Sequence, residues 1–262
     1  MTEVSASRAT PSSKQLLATV ACVGFGLGLF IWWQTRLQAT VFPTEFVMVD
    51  GAERRYRLVV PKGVDRATTL SLVVAFHGAG DTAEQMAEQT NLDRLASSQG
   101  FLLAYPEGRF QSWPPFIPPE NPSSIDPDLR LFDVLCAELS RRFNIDRRRI
   151  YVVGTSQGAA FVELLVAKRS CAIAAAAAHS GWLPKPLPSE GIHADCKTPI
   201  LLIVGSEDRQ VPPPITEEAV RCFAREGHPV EYLKIPGVGH RWALEVGINA
   251  RIWTFLSAYR LP

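Results

Sequence analysis

The sequence predicts an α/β fold, a mostly parallel central sheet covered by helices on both faces. Three observations lead there. Short apolar runs alternate with longer helical patterns along most of the 262 residues. Several of those runs, Ile200–Val204 among them, are apolar throughout, as strands buried on both faces of a sheet must be. One run, Ile150–Val153, leads straight into Gly154-Thr155-Ser156-Gln157-Gly158, the pattern of a sharp strand-to-helix turn.

The elements follow in order. Phe46–Val49 and Tyr56–Val60 read as strands, with Asp50-Gly51 as the hairpin turn between them. Leu70–Phe76 and Phe101–Tyr105 read as buried strands on either side of one helix, Ala83–Ser98. Residues 111–127 are rich in proline and carry Trp113 and Phe116. Proline at that density excludes a helix or a central strand. A loop of this length in a compact domain is usually functional, and this one is expected to wall or cover a cleft. A helix over Asp128–Phe143 precedes the Ile150–Val153 strand, and another follows from Ala159 to Lys168. Ile173–Ala178, Ile200–Val204 and Val230–Ile235 are further strands, with a helix near Thr216–Glu226 between the last two. A final helix is expected over Ala243–Tyr259, with Leu244, Ile248, Ile252, Phe255 and Tyr259 on one face.

Residues 1–40 form an appendage to a domain spanning 41–262. Leu16–Trp33 carries no charge, is long enough to cross a bilayer, and ends in two tryptophans. Arg8 and Lys14 before it favour the N-terminus inside and the domain exported. The segment is expected to be a transmembrane signal anchor or, if cleaved after Leu37-Gln38-Ala39, a signal peptide. A lipid site at Cys22 is not expected, because apolar residues continue past it. Cys136 and Cys222 fall in predicted helices, and no C-x-x-C spacing suggests zinc or redox chemistry. Cys171 and Cys196 flank one strand and loop, and a disulfide between them suits an exported protein. The net charge of +1 gives no reason to expect nucleic acid as a partner. The oligomeric state is left open.

The strand-to-helix turn carries the chemistry. Such a turn lifts the Ser156 hydroxyl clear of the sheet and sets it at a helix N-terminus, where backbone N–H groups are free to hold an oxyanion. A serine nucleophile needs a base and a carboxylate that orients the base. Asp208 follows strand Ile200–Val204, with Glu207 as the second choice, and His240 follows strand Val230–Ile235. That is the order Ser, acid, His of an α/β-hydrolase fold. His77-Gly78-Ala79-Gly80 at the end of Leu70–Phe76 matches an oxyanion loop. The N–H groups of Ala79 and Gln157 are the expected donors, with Gly78 as an alternative to Ala79. His77 is expected to brace the loop. Trp113 and Trp242 read either as cleft walls or as packed core. The chemistry calls for no metal or organic cofactor.

From Phe46 onward the chain resembles the polyhydroxybutyrate depolymerase and feruloyl esterase group of α/β hydrolases. The likeness rests on His77-Gly78-Ala79-Gly80, Gly100-Phe101, Tyr105-Pro106-Glu107-Gly108, Trp113, Ile145-Asp146, Gly154–Gly158, Asp208 with Val211-Pro212, and Gly239-His240-Arg241-Trp242. Asp128 also resembles a family aspartate. The resemblance implies ester cleavage, with polyesters, feruloylated or acetylated polysaccharides and small esters as substrate classes. Gln157 departs from the Asn of many relatives, and the Pro-rich stretch replaces a cleft-shaping region. Two other readings share the residues: a serine peptidase or acyltransferase on the same fold, and a non-catalytic binding domain.

Overall fold

Strands β1 (Thr40–Val49) and β2 (Ala52–Val60) meet at Asp50-Gly51, with φ of 52° and 78°. Positive φ at both positions is what a two-residue hairpin requires, and Asp-Gly supplies it at little cost. The computed structural model describes residues 39–65, 67–113, 126–185, 187 and 191–262, and Ala39–Pro262 form one compact unit. The expected membrane segment at 16–33, Cys22 and the centre of the Pro-rich stretch lie outside the described residues. Among the described residues no helix is long and apolar enough to cross a membrane.

The remaining strands are β3 (Leu70–Phe76), β4 (Leu102–Pro106), β5 (Ile145–Thr155), β6 (Ala175–His179), β7 (Ile200–Gly205) and β8 (Val230–Ile235). The sheet order is β1-β2-β4-β3-β5-β6-β7-β8. β2 pairs antiparallel with both neighbours, and β3 through β8 run parallel. This is the mostly parallel sheet that the alternating pattern predicts.

Helices α1 (Ala83–Thr90), α2 (Leu92–Gln99) and α6 (Ile248–Ser257) cover one face. Helices α3 (Asp126–Arg142), α4 (Gln157–Arg169) and α5 (Pro213–Arg225) cover the other. β3 shows why its sequence lacks polar alternation: Leu72, Val74 and Phe76 enter one core layer, Val73 and Ala75 the other. Cys171 and Cys196 are disulfide-bonded across 25 residues. A loop of that size, closed in the unfolded chain, stabilises the fold by roughly 3 kcal/mol.

Several boundaries differ from the sequence reading, each for a local reason. The single helix expected over 83–98 is two, because Asn91 takes a left-handed conformation (φ 51°) and its N–H caps Ala87 O. Asparagine tolerates that conformation better than most residues. The last helix starts at Ile248. Gly247, at φ 70°, separates it from a 3-10 turn over Leu244–Val246, so Leu244 falls off the predicted face and is exposed. The Pro-rich stretch is structured at both described ends: Arg109–Gln111 form a 3-10 turn, and Asp126-Pro127 begin α3. Proline is accommodated in a first helical turn, where its missing N–H is not needed.

Candidate active site

The site is assembled at the C-terminal ends of β3, β5, β6, β7 and β8. Ser156 sits between β5 and α4 at φ 53° and ψ −120°, a strained conformation for a side-chain-bearing residue. Its neighbours show why the turn needs glycine. A β-carbon on Gly154 would lie 2.3 Å from Gly158 O, and one on Gly158 would lie 2.2 Å from Phe76 O. The second contact brings α4 hard against the end of β3, where the His77–Gly80 loop begins.

His240 bridges the other two predicted residues. Its Nε2 is 3.0 Å from Ser156 Oγ and its Nδ1 is 2.8 Å from Asp208 Oδ2. The loops bearing them are stitched together: Glu207 N donates to Val238 O at 2.9 Å and Gly237 N to Ser206 Oγ at 2.9 Å. Gly205 permits the approach, since a β-carbon there would lie 2.1 Å from Val238 O. Glu207, the second-choice acid, contributes its backbone to this seam. Asp208 is 3% exposed. Burial alone would raise its carboxyl pKa, but hydrogen bonds from Val211 N and His240 outweigh it and hold the group below the ordinary carboxylate range. The carboxylate is therefore ionised at neutral pH.

His77 acts on its loop. Its Nε2 accepts from Gly108 N at 3.0 Å, so the ring proton is on Nδ1, which donates to Gly78 O at 2.7 Å. Burial lowers its pKa and keeps it neutral. Gly78, Ala79, Ser156, His240 and Trp242 border a cleft of about 480 Å³, with Asp81, Gln89 and Gln210 as polar lining.

The two predicted tryptophans separate. Trp242 borders the cleft, stacks on His179 with centroids 5.1 Å apart, and donates Nε1 to Asn249 Oδ1. Trp113 is no cleft wall. It is fully buried, stacked on Phe161 at 5.0 Å and edge-on to Phe76 at 5.2 Å. Its indole N–H donates to His77 O at 3.0 Å, which is the polar partner a buried tryptophan needs.

Sequence reasoning missed the Gln157 side chain. Its Oε1 accepts from Trp113 N at 3.1 Å, and its Nε2 donates to Ser112 Oγ at 2.9 Å. The same segment, a strap over Gln111–Trp113, reaches the His77–Gly80 loop through Gly80 N to Gln111 O at 2.8 Å. Gln157 therefore ties the start of α4 to the loop opposite. Its position beside Ser156 drew attention to its backbone N–H, and its side chain was noted only as a departure from the Asn of many relatives.

Asp128 was noticed without a role. Its Oδ1 accepts from Arg54 Nη2 at 2.7 Å, with both side chains buried, and Arg54 also donates to Glu107 O at 2.9 Å. This pair pins α3 to β2 beside the strap. Asp128→Ala is expected to lower stability by about 3–5 kcal/mol, because it strands a buried guanidinium. Urea unfolding measures this, and a loss below about 1 kcal/mol, the worth of a surface pair, would contradict the buried-pair account.

Comparison with known proteins agrees with the fold. Residues 125–250 match the phospholipase/carboxylesterase family model. NocK of Nocardia uniformis subsp. tsuyamanensis, named for an inferred esterase activity, is 31% identical over 170 residues, covering 62% of this chain and 47% of that protein. Feruloyl esterase B of Neurospora crassa is 31% identical over 117 residues, covering 44% and 40%. The chain thus spans less than half the length of these curated relatives. Among solved structures, a thermostable esterase aligns with a TM-score of 0.66 at 22% identity, covering 85% of this chain and 63% of that one. A CE1 ferulic acid esterase of Anaeromyces mucronatus aligns at 0.64 and 19%, covering 84% and 90%. At these identities the two structures speak to the fold alone.

Proposed function

We propose that this chain, an α/β hydrolase that groups with esterases, is a serine carboxylic-ester hydrolase working through an acyl-enzyme. The observation that carries the reading is the unbroken file from Ser156 Oγ to His240 Nε2, and from His240 Nδ1 to Asp208 Oδ2. Ser156 Oγ bonds to the ester carbonyl carbon as His240 takes its proton. The tetrahedral oxyanion is held by the N–H groups of Gln157 and Ala79. The C–O bond to the alcohol then breaks, and His240 returns the proton to the departing oxygen. Water repeats the sequence on the acyl-enzyme and releases the acid. Asp208 keeps the His240 proton on Nδ1 and stabilises the imidazolium.

The cleft suits one small ester, or a single ester unit of a larger molecule. Asp81, Gln89 and Gln210 offer hydrogen bonds to a polar alcohol or acyl portion. Relatives named as a feruloyl esterase and as an acetylxylan esterase/xylanase support an acyl group carried on carbohydrate. We also propose that the domain is exported, anchored by residues 16–33 or released if they are cleaved. The uncharged run there and the Cys171–Cys196 disulfide support an oxidising compartment.

The test is a panel of p-nitrophenyl and carbohydrate esters, varied in acyl and alcohol size, run beside peptide amides and a fluorophosphonate probe. Ester turnover with covalent labelling at Ser156 is expected. Cleavage of amides without esters would replace the proposal with a peptidase, and folded protein that neither turns over nor labels would leave only a binding domain.

A further inference from the structure

The segment Gly108–Trp113 is strained and tightly bound at once. Phe110 and Gln111 are consecutive left-handed residues, at φ 54° and 57°, and neither is glycine. Such a backbone persists only where its surroundings fix it. The Phe110 side chain is fully exposed, so packing at 110 does not supply the hold. Hydrogen bonds do, and they run to both sides of Ser156.

On one side stands the loop after β3. Gly108 N donates to His77 Nε2 at 3.0 Å, Gly80 N to Gln111 O at 2.8 Å, and Trp113 Nε1 to His77 O at 3.0 Å. On the other side stands the first residue of α4. Trp113 N donates to Gln157 Oε1 at 3.1 Å, and Gln157 Nε2 to Ser112 Oγ at 2.9 Å. Trp113 N can only donate, so it fixes which way the Gln157 amide faces and turns Nε2 toward Ser112. Gln157 is 1% exposed. Removing either partner therefore leaves a buried amide group short of a bond.

We propose that the Gln157 side chain is a positioning residue for the oxyanion hole. The two proposed donors, the N–H groups of Gln157 and Ala79, belong to separate elements, α4 and the loop after β3. Gly108–Trp113 spans those elements, and the Gln157 amide is where it grips α4. With the grip intact the two N–H groups keep one spacing through the reaction, as preorganised donors must. With the grip lost, the segment is free to drift and carries the His77–Gly80 loop with it. The inference rests on the serine hydrolase reading above.

Three variants of the full chain test it, with kcat, KM, Tm and the inhibition constant of a trifluoromethyl ketone as readouts. Such a ketone forms a tetrahedral adduct with the serine, so its affinity reports the oxyanion hole without turnover. Gln157→Met keeps the length and bulk of the side chain and removes both bonds. It is expected to lose about 10- to 100-fold in kcat, with KM little changed and the ketone weakened by the same factor. Ser112→Ala removes one bond and should lose about 2- to 10-fold in both. Ser112→Thr keeps a hydroxyl on extended backbone, φ −145° and ψ 154°, and should recover most of that loss. His240 and Asp208 keep their bonds throughout, so the pH midpoint of kcat/KM should not move. Wild-type kcat in a folded Gln157→Met, or a Ser112→Ala no slower than Ser112→Thr, would overturn the proposal. So would a loss of kcat that leaves ketone affinity unchanged or shifts the pH midpoint, since the damage would then lie at the nucleophile or the base. A folded wild type that neither turns over esters nor labels with fluorophosphonate would overturn the hydrolase reading first.

Discussion

Ser156→Ala is expected to reduce kcat/KM for the best ester by about 10^5- to 10^6-fold, because members of a triad act as a unit. That corresponds to about 7–8 kcal/mol of transition-state stabilisation. The oxyanion donors and the cleft would remain, so a residue of catalysis over water should persist. Stability should change little: the strained φ at 156 belongs to the backbone, and alanine inherits it. Steady-state kinetics beside urea unfolding separates the two effects. Wild-type kcat/KM in a folded alanine variant would refute the assignment of the nucleophile.

The second large effect comes from a single methyl group. Gly158→Ala replaces glycine with the best helix former inside α4, a change worth about 1 kcal/mol in favour of the variant in an open helix. Here the sign reverses. The new β-carbon would sit 2.2 Å from Phe76 O and 2.4 Å from His77 O, both of them backbone atoms. Neither can rotate away, so α4 and β3 must separate. The overpacking is expected to cost about 1–3 kcal/mol net. The displacement falls between the two proposed oxyanion donors, Gln157 on one side and Ala79 on the other. A shift of about 1 Å there costs on the order of 100-fold in kcat. Thermal melts and labelling rates read both effects, and a variant as stable and as fast as wild type would show that the contact is not rigid.

The meeting of Ser156, Asp208 and His240 was legible because each falls at the end of a strand. The elbow, Asp208 and His240 each follow an apolar run, and the chain needs no knowledge of tertiary contacts to display that. The place of the His77–Gly80 loop beside Ser156 was legible for the same reason. Partnerships across the sheet were not. Gln157 meets Trp113 44 positions away, and Arg54 meets Asp128 74 away. No local pattern encodes such pairs. Trp113 shows the point from the other side. Prolines follow it directly in the chain, at 114 and 115, which suggested a loop, whereas its neighbours in space are Phe76, His77 and Phe161.

The strap and the Arg54–Asp128 pair also bear on how such a chain can change over generations. Trp113, pinned by Gln157 and His77, and Asp128, pinned by Arg54, are fixed moorings on either side of residues 114–125. The bonds at those moorings, Trp113 N to Gln157 Oε1 and Arg54 Nη2 to Asp128 Oδ1, are made by residues outside that stretch, so change within it need not break them. Loop grafting in the laboratory should use the same two cut points.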